Sequence, residues 1–596
     1  MSEVFSILLM MIAYFLVGYN VLFNAIRNLV KGSLLDENFL MTIATIGAIA
    51  IGEYPEAVGV MLFYGIGEYL ESKALAKSRK NIEALMNIKP EIANLIVGNE
   101  IVEVDPNTVK IGDKLVVKVG EKVPLDGKII KGESLFDTSA ITGESVYRSS
   151  KVGDQILSGV INQKSVITME VLKTMKDSTV SKILDMVENA TSKKSKTENF
   201  ITVFAKYYTP IVVILALALS FIPPVLLGEP VGKWLYRGLI FLVVSCPCAL
   251  VLSIPLSYFS GIGVCSRNGI LVKGSNYLEA LKYVDTVVMD KTGTITKGIF
   301  EVSDVVLSSE VSNAEDILRY ACISEARSTH PIALSILEYC KNKCISNIDV
   351  EDGKIEKYEE IPSNGIKMLY DGVEMLAGNK RMMENFNIQY IERNNASTKV
   401  HIAVNKTYYG CIEISDELKE GMKDTISNMK EIGIKEIVML TGDSEPVAKE
   451  ISKLVGIDTY YSNLLPNDKV DILERIMSKK NRNTKVAFIG DGINDAPVIA
   501  RADVGISMGG MGSDAAIEAS DVVFMTDEIS KLPLSVRIAR HTGKIVWQNI
   551  VFALSVKIVV LALSALGLTN MWVAIFSDVG VALLAVLNSL RVLKYK

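Results

Sequence analysis

The sequence lacks the features that mark nucleic-acid-binding and secreted proteins. Among its 596 residues, 63 Lys and Arg stand against 68 Asp and Glu, and aromatic residues make up only 7%. This balance argues against a nucleic-acid-binding surface. The 7 cysteines are odd in number and irregularly spaced, which argues against a secreted disulfide scaffold. At about 100–200 residues per domain, the length allows three to five domains and excludes a single small module.

Apolar residues are concentrated in blocks, because the mean hydropathy is +0.30 although 22% of the residues are charged. Buried globular helices do not explain so many long blocks. The first block is not typical of a signal peptide. The residue before it is the acidic Glu3, and no basic region precedes it. The limits of the third are blurred by Gly65, Gly67 and Glu68. Stretches near the membrane-spanning length of about 20 residues are 4–26, 38–53, 55–72, 201–224, 235–260, 546–567 and 571–592.

Two long polar segments, 73–200 and 261–545, separate these stretches. Basic residues cluster where they meet the apolar blocks, at Lys73, Lys77, Arg79, Lys80, Lys193, Lys194, Lys196, Arg267 and Lys273. The positive-inside rule then places both segments in the cytoplasm. We therefore expect a multi-pass protein of the cell (plasma) membrane with large cytoplasmic loops.

The two loops differ in pattern. The first reads as short β-branched strands with glycine-containing turns from about 91 to 170. The second alternates strands with helical patterns, which indicates a doubly wound parallel sheet, and residues 300–415 look like an inserted domain. The predicted strands are Thr286–Met289, Glu436–Leu440, Lys485–Ile489, Val504–Ser507 and Asp521–Phe524.

Three of these strands end in acidic motifs, Asp290-Lys291-Thr292-Gly293-Thr294, Thr441-Gly442-Asp443 and Gly490-Asp491-Gly492-Ile493-Asn494-Asp495. Because strand ends meet at one edge of a parallel sheet, Asp290, Thr441, Asp491 and Asp495 should share a crevice. Carboxylates that close repel unless a hard cation such as magnesium bridges them. Magnesium beside a carboxylate nucleophile is a phosphoryl-transfer arrangement.

The Asp290 motif, followed by Ile295-Thr296, resembles the phosphorylation motif of P-type ATPases, and Thr142-Gly143-Glu144-Ser145 resembles their actuator motif. The resemblance implies that Asp290 accepts the γ-phosphoryl group of ATP. Asp290 and Asp491, with the backbone near Thr292, would hold magnesium. Thr441 and Lys469 would contact phosphate oxygens, with Asp495 in the same crevice. Glu144 would position the water that hydrolyses the aspartyl phosphate.

In the inserted domain, Glu325, Ser328, His330 and Pro331 resemble the nucleotide-binding signature of heavy-metal P-type ATPases, and Gly378-Asn379 matches a further part. Taken alone, a His before a Pro is more often structural than functional. Of the family's glycine pair only Gly365 remains, because Ser363 replaces the first. A side chain there could restrict the approach of ATP to the backbone.

The fifth apolar stretch contains Ser245-Cys246-Pro247-Cys248. A proline inside a helix removes a backbone hydrogen bond, and two flanking thiols can approach one soft or borderline metal ion. The alternative is a kinked structural helix with two buried thiols. The Cys-Pro-Cys resembles the metal site of heavy-metal P-type pumps, which favours Cys246 and Cys248 as ligands.

Two ionisable residues, Lys557 and Asp578, lie in the last two apolar stretches, and such residues are functional candidates. Counted from the turn at Leu568–Asn570, they lie about 16 and 12 Å deep on adjacent helices. Two thiolates and a carboxylate carry −3. A divalent metal with Lys557 brings that charge to zero, whereas copper(I) leaves −1. Lys557 could also act as a counter-ion after metal release, or join the two helices structurally. Lys557 and Asp578-Val579-Gly580 resemble the zinc/cadmium/lead-exporting subgroup.

Weaker features complete the pattern. Glu53, Glu56 and Glu68, assigned to the outer ends of the second and third stretches, could form an acidic exit path or an ordinary solvated loop. Cys340 and Cys344 could share a helix face, most simply as a hydrophobic pair. No Cys-x-x-Cys precedes the first stretch, and seven spans are counted where this subgroup usually has eight. A shortened form and a truncated chain both remain open.

The resemblance implies a multidomain α-helical membrane protein with a β-rich actuator domain and a haloacid-dehalogenase-like α/β phosphorylation domain that carries an inserted α+β nucleotide-binding domain. The expected segments are transmembrane 1–72, actuator 73–200, transmembrane 201–260, phosphorylation 275–299 and 416–540, nucleotide-binding 300–415 and transmembrane 546–592.

The expected function is ATP-driven export of zinc, cadmium or lead, with ATP, magnesium, the metal ion and the lipid bilayer as partners and a monomer as the working unit. A copper(I) exporter is the first alternative. A non-transporting membrane metal sensor with degenerate motifs is the second, and the intact Asp290, Glu144 and Asp495 argue against it.

Overall fold

The computed structural model describes residues 3–30, 37–85, 90, 92–98, 100–139, 147–182, 194–245, 248–309, 313–328, 330–343, 352–361, 364–391, 397–481, 483–490, 495–508 and 514–595. The chain forms two compact units. The first comprises Met1–Tyr283 with Leu534–Lys596, and the second comprises Val284–Pro533.

The helices in chain order are α1 Glu3–Val30, α2 Glu37–Ala50, α3 Tyr54–Leu85, α4 Lys196–Leu227, α5 Val231–Val244, α6 Cys248–Arg267, α7 Ser275–Lys282, α8 Ala314–Glu325, α9 Pro331–Asn342, α10 Lys380–Asn385, α11 Met422–Glu431, α12 Glu445–Val455, α13 Pro466–Lys479, α14 Ala496–Arg501, α15 Asp514–Ala519, α16 Lys531–Leu566 and α17 Met571–Ser589. Short 3₁₀ turns occupy Pro106–Thr108, Asp352–Lys354 and Leu590–Lys594.

The strands are β1 Ala93–Val97, β2 Glu100–Val104, β3 Lys114–Val117, β4 Gly127–Lys131, β5 Ser134–Asp137, β6 Tyr147–Ser150, β7 Gln155–Ile156, β8 Ile161–Asn162, β9 Ile167–Val171, β10 Ile270–Val272, β11 Val284–Asp290, β12 Thr296–Leu307, β13 Ile355–Ile361, β14 Gly365–Tyr370, β15 Val373–Gly378, β16 Thr398–Val404, β17 Thr407–Leu418, β18 Glu436–Leu440, β19 Thr459–Tyr461, β20 Lys485–Gly490, β21 Val504–Met508 and β22 Val522–Phe524.

The first unit contains the apolar helices. Among the described residues, five helical stretches are long and apolar enough to cross a membrane, namely Val4–Val30, Tyr207–Leu227, Val231–Arg267, Lys531–Leu566 and Met571–Lys594, and Asn38–Ala50 is a shorter apolar helix. The third predicted stretch, 55–72, is part of α3, which continues to Leu85 as a single helix of 32 residues. Lys, Ala, Leu and Glu are frequent after residue 72, and their high helix propensity explains the extension.

Small residues let these helices approach closely, as is usual in membrane bundles. A Cβ atom at Gly59 would lie 2.1 Å from the Trp572 ring, and one at Gly67 would lie 2.9 Å from the Val579 side chain. Gly67 therefore interrupts the apolar pattern of α3 at a point where α17 packs against it. A shared apolar core that includes Tyr14, Met61 and Ile575 fills the bundle.

The β-rich part of the first unit has a six-stranded sheet in the order β2-β1-β3-β9-β4-β7 and a three-stranded sheet in the order β6-β5-β8. The paired strands are antiparallel. Asp126, only 4% exposed, ties the segments together. Its carboxylate accepts four hydrogen bonds of 2.7–3.0 Å. They come from the backbone amide and the hydroxyl of Ser158 and from the same two groups of Thr179. Glu144 and its motif lie outside the described residues.

The second unit is built on parallel strands in the order β22-β21-β20-β11-β18-β19. The strands are buried on both faces, which explains their continuous apolar sequences. All five predicted strands of this sheet are present, with ends within two residues of the prediction. The doubly wound sheet predicted from the sequence is confirmed.

The inserted part of the second unit is an antiparallel sheet in the order β12-β17-β16-β15-β14-β13, with α8 and α9 packed in its core. The two 12-residue strands β12 and β17 run side by side from the Thr296–Leu418 pair to the Leu307–Gly410 pair. The chain therefore leaves the parallel sheet and returns to it at adjacent points. A disulfide joins Cys322 on α8 to Cys340 on α9. Cys344, which could share a helix face with Cys340, lies outside the described residues.

Candidate functional site

A buried lysine joins two of the predicted catalytic carboxylates. Asp290 is the last residue of β11, and Asp495 is the residue before α14. The Nζ atom of Lys469, on α13, lies 2.5 Å from Asp290 Oδ1 and 2.9 Å from Asp495 Oδ1. The three side chains are 12%, 9% and 3% exposed respectively. The sheet thus brings Asp290, Lys469 and Asp495 into one crevice.

Burial and neighbouring charges act in opposite directions on Lys469. Desolvation alone lowers its pKa, but the nearby carboxylates of Asp290 and Asp495 outweigh this, and the pKa is raised above the ordinary lysine value. Lys469 is therefore a fixed positive charge at neutral pH. A charge held in a low-dielectric crevice stabilises developing negative charge far better than one in water.

A second buried lysine, Lys291, follows Asp290 directly and bonds to carboxylates of its own. Its Nζ atom lies 2.5 Å from Asp443 and 3.5 Å from Asp416. Asp416 in turn accepts from the Thr296 hydroxyl at 2.5 Å and from the Gly298 amide at 3.0 Å. This network fixes the turn after the Asp290 strand. Asp416 was not predicted from the sequence, because a lone Asp near the end of β17 has no local signal.

The other predicted residues of the crevice have different positions. Thr441 is 2% exposed and follows Leu440, which pairs with Asp290 across β18 and β11. Its hydroxyl accepts from the Asp443 amide at 3.0 Å. Thr292 is exposed, in the turn that follows Asp290. Asp491 lies outside the described residues. Gly490 leaves room for Asp495, since a Cβ there would lie 2.8 Å from the Asp495 carboxylate.

The inserted domain contains a cavity of about 610 Å³. Its lining includes five of the predicted nucleotide-binding residues, Glu325, His330, Gly365, Gly378 and Asn379, together with Ser328. The sixth, Pro331, is the first residue of α9. The size is within the range of small-molecule sites. Ser363 lies outside the described residues.

Two residues of this cavity have distinctive chemistry. Burial, with a smaller contribution from Glu360, raises the pKa of Glu325 to about 7. The Nδ1 atom of His330 accepts from the Ile332 amide at 3.2 Å, which caps the start of α9. A neutral imidazole that accepts at Nδ1 carries its proton on Nε2. His330 thus has a structural role, and its exposed ring also keeps a donor at the cavity.

Gly365 and Gly378 are needed for the backbone geometry beside the cavity. They are directly paired across β14 and β15. Gly365 has a φ of +145°, and a Cβ there would lie 2.2 Å from the Ala377 carbonyl oxygen. A Cβ at Gly378 would lie 2.3 Å from the Asn364 carbonyl oxygen. Neither position accepts a side chain.

Within the helix bundle, Lys557 on α16 contacts Asp578 on α17. Its Nζ atom lies 2.6 Å from Asp578 Oδ1 and 3.0 Å from the carbonyl oxygen of Val244. Val244 is the last residue of α5, and α6 begins at Cys248. Cys246 and the side chain of Cys248 lie outside what the structure describes. Among the described residues no group of three or more His, Cys, Asp and Glu side chains could hold a metal ion.

The acidic residues predicted for an exit path do not all lie together. Glu53 lines a cavity of about 370 Å³ with Lys233 and Arg237, and Glu56 accepts from the Tyr236 hydroxyl at 2.9 Å. Glu68, in contrast, lies about 21 Å along α3 from Tyr54, at 1.5 Å per residue, and is exposed. The placement of Glu68 near the outer end of the helix was wrong, because α3 starts at Tyr54 and runs without a break.

Comparisons with known proteins agree with this architecture. The haloacid dehalogenase-like hydrolase family matches residues 284–503, and the P-type ATPase actuator domain family matches residues 87–188. The cadmium, zinc and cobalt-transporting ATPase of Bacillus subtilis is 51% identical over 585 residues, which cover 98% of this chain and 82% of that protein. The zinc-transporting ATPase of Synechocystis sp. is 50% identical over 98% of this chain and 80% of that protein.

A solved structure of a zinc-transporting PIB-type ATPase in the E2.Pi state has a TM-score of 0.62 and 31% identity, and covers 99% of this chain and 96% of that chain. An actuator domain, a phosphorylation domain of haloacid-dehalogenase type and an apolar helix bundle together define an ATP-hydrolysing membrane pump. The chain belongs to the P-type ATPases, in the heavy-metal group that includes the zinc- and cadmium-transporting enzymes. It is a multi-pass membrane protein whose large loops lie in the cytoplasm.

Proposed function

We propose that the protein exports zinc, cadmium or lead ions across the membrane, driven by ATP and cycling through phosphorylated Asp290. The observation that carries the proposal is the buried Lys557–Asp578 pair beside the end of α5. A buried carboxylate with its own counter-ion suits reversible binding of a divalent cation, because the ammonium can replace the departed charge. The proposed working unit is a monomer in a lipid bilayer.

In the catalytic step, a carboxylate oxygen of Asp290 forms a bond to the γ-phosphorus of ATP. The bond from that phosphorus to the bridging oxygen breaks at the same time, and its electron pair leaves with ADP. Lys469 already holds Asp290 at 2.5 Å, and with Thr441 it would then contact the transferred phosphoryl oxygens. Glu144 would orient the water that later cleaves the aspartyl phosphate.

Magnesium fits the donor set at this crevice. The carboxylates at the strand ends offer hard oxygen ligands, and Asp290 and Asp491, with the backbone near Thr292, would hold the ion. When bound, it neutralises part of the phosphate charge during the transfer. Asp495 is bonded to Lys469 and would keep that lysine beside Asp290.

ATP would bind in the cavity of the inserted domain. Glu325, with a pKa of about 7, is partly protonated near neutrality and could donate to a nucleobase or accept from it. His330 would donate from Nε2 to the nucleotide, while its Nδ1 caps α9. Gly365, Gly378 and Asn379 border the cavity where β14 meets β15, so a bulky base could lie against the backbone there.

The transported ion would be held by Cys246, Cys248 and Asp578, with Lys557 as counter-ion. Two thiolates and a carboxylate carry −3, so a divalent ion and one ammonium leave no net charge. Copper(I) would leave −1 in a low-dielectric environment, which is less favourable. The names of the Bacillus and Synechocystis relatives include zinc, cadmium and cobalt, which supports a divalent ion and adds cobalt to the ions that need testing.

The deciding experiment measures phosphoenzyme formation from radiolabelled ATP in purified protein with zinc, cadmium, lead, cobalt or copper(I). Divalent ions should stimulate it, and Asp290→Asn should abolish it. Asp578→Ala should remove the metal stimulation. The matched control is Asp285→Asn, which changes another buried aspartate of β11 that bonds to Lys435 outside the crevice. It should retain the labelling. Stimulation by copper(I) alone would overturn the divalent assignment, and labelling of Asp290→Asn would overturn the mechanism.

A further inference from the structure

The start of α4 is held by a set of buried hydrogen bonds. Ser195 is the N-cap, and its hydroxyl accepts from the Glu198 amide at 3.0 Å. The Glu198 carboxylate accepts in return from the Ser195 amide at 2.6 Å. Ser195 is fully buried. A capping box of this kind satisfies two of the free amides that every helix start leaves.

A second helix, α7, supplies further hydrogen bonds to the first turn of α4. The Ser275 hydroxyl donates to Glu198 at 2.5 Å and accepts from the Ser195 amide at 3.0 Å. The Glu279 carboxylate accepts from the Thr197 amide at 3.2 Å and also from the Thr197 hydroxyl. Glu279 is only 6% exposed. A buried carboxylate at a helix N-terminus is favoured by the helix dipole as well as by its hydrogen bonds.

A third helix reaches the same point. Tyr258 on α6 is 2% exposed, and its hydroxyl interacts with the Thr197 side chain. Thr197 is therefore contacted by α6 and α7 at once. We name Ser195, Thr197, Glu198, Tyr258, Ser275 and Glu279 the joint.

The joint connects helices that lie next to different functional parts of the chain. α4 is the first described helix after the β-rich actuator domain, whose matched family region ends at residue 188. α6 is the helix that begins at Cys248. α7 is the last helix before β11, the strand that begins at Val284 and ends at Asp290. The helix that follows the actuator domain, the helix that begins at Cys248 and the helix that precedes β11 thus share one set of hydrogen bonds.

We propose that Glu279 is a positioning residue that couples ATP hydrolysis to metal transport. Its carboxylate ties the first turn of α4 to α7, so that a displacement of either segment is passed to the other. It touches neither ATP nor the metal ion and acts through Thr197. This inference rests on the proposed function, because coupling has meaning only in a pump.

The test uses the full-length protein in proteoliposomes and measures zinc transported, ATP hydrolysed and phosphoenzyme formed. In Glu279→Ala, zinc-dependent phosphoenzyme should form at close to the wild-type level, while zinc transported per ATP falls by about fivefold or more. Glu279→Gln keeps an acceptor oxygen for the Thr197 amide and should recover most of the ratio. Thr197→Val removes the hydroxyl contacts with Glu279 and Tyr258 but keeps the amide bond to Glu279, and it should lower the ratio by a smaller factor.

Glu315→Ala is the matched control, because Glu315 is an exposed carboxylate in the first turn of α8, outside the joint. It should leave the transport ratio unchanged. An unchanged ratio in Glu279→Ala would overturn the coupling role, whatever the result for Thr197→Val. Equal losses of phosphoenzyme and transport in both variants would also overturn it, since they would indicate a general loss of folded protein. A wild-type protein that forms no metal-dependent phosphoenzyme would instead overturn the proposed function.

Discussion

The ammonium nitrogen of Lys557 lies 2.6 Å from the carboxylate of Asp578, and the two side chains are 6% and 8% exposed. The same nitrogen donates to the Val244 carbonyl at 3.0 Å. The ammonium of Lys557 thus bonds to oxygen atoms on both α5 and α17. In the proposed transport cycle, a metal ion that binds Asp578 would displace this ammonium, and the ammonium would return when the ion leaves.

The first prediction concerns this pair. Lys557→Met and Asp578→Leu should each lower stability, by about 3–5 kcal/mol, because each leaves a buried charge without its partner. The double variant should cost clearly less than the sum, since it leaves no unpaired charge. Thermal unfolding of the detergent-purified protein measures the three differences. Additive losses would show that the two charges do not depend on each other.

The second prediction concerns Lys469. Replacing it by alanine removes the positive charge between Asp290 and Asp495 and should slow phosphoenzyme formation by about 10²–10³-fold. Rapid-quench measurements with radiolabelled ATP test this. The matched control is Lys485→Ala, which removes an ion pair with Asp503 elsewhere on the same sheet and should change the rate little. Similar rates in the two variants would exclude an electrostatic role for Lys469.

The third prediction is a pH dependence of ATP binding. Because the pKa of Glu325 is about 7, its side chain is mostly neutral below that pH and mostly charged above it. The charged form must be desolvated and lies near Glu360, so the KM for ATP should rise between about pH 6 and about pH 8. In Glu325→Gln this part of the pH profile should be flat. A profile that the substitution leaves unchanged would assign the titration to another group.

The fourth prediction separates steric collision from backbone strain at two glycines with positive φ. Gly365→Ala puts a Cβ 2.2 Å from the Ala377 carbonyl oxygen, whereas at Gly372, with a φ of +74°, no atom lies within 4 Å. Gly372→Ala should cost about 1 kcal/mol from the backbone conformation alone. Gly365→Ala should cost more and should also weaken ATP binding. Equal losses of stability in thermal unfolding would show that the sheet relaxes around the added carbon.

The general architecture could be predicted from the sequence, because it depends on patterns formed by neighbouring residues. Apolar blocks near 20 residues long identify membrane helices without knowledge of their neighbours. The acidic motifs predict a common crevice, because parallel strands end at a shared edge. The structure brings Asp290 and Asp495 to one lysine, as this rule expects. Helix rise placed Lys557 and Asp578 at similar distances from the turn between their helices, and the structure shows the two side chains in contact.

Contacts between residues that are far apart in the chain could not be predicted in this way. Asp416 was missed because its partner Lys291 is more than a hundred residues away in the chain. The bond between Cys340 and Cys322 was not predicted, because the two residues lie on neighbouring helices. Glu68 was grouped with Glu53 and Glu56 by charge, although a continuous helix separates them along its length.

The sequence alone determined the class of protein, the strand ends that carry the proposed catalytic groups and the presence of charges inside the apolar helices. Each of these depends on periodicity or on short motifs, which are properties of neighbouring residues. Only the tertiary structure decided which carboxylate each lysine holds, that His330 caps a helix as well as lining a cavity, and that Glu279 meets Thr197. Those pairings arise from packing, because burial selects the partners that satisfy every desolvated polar group.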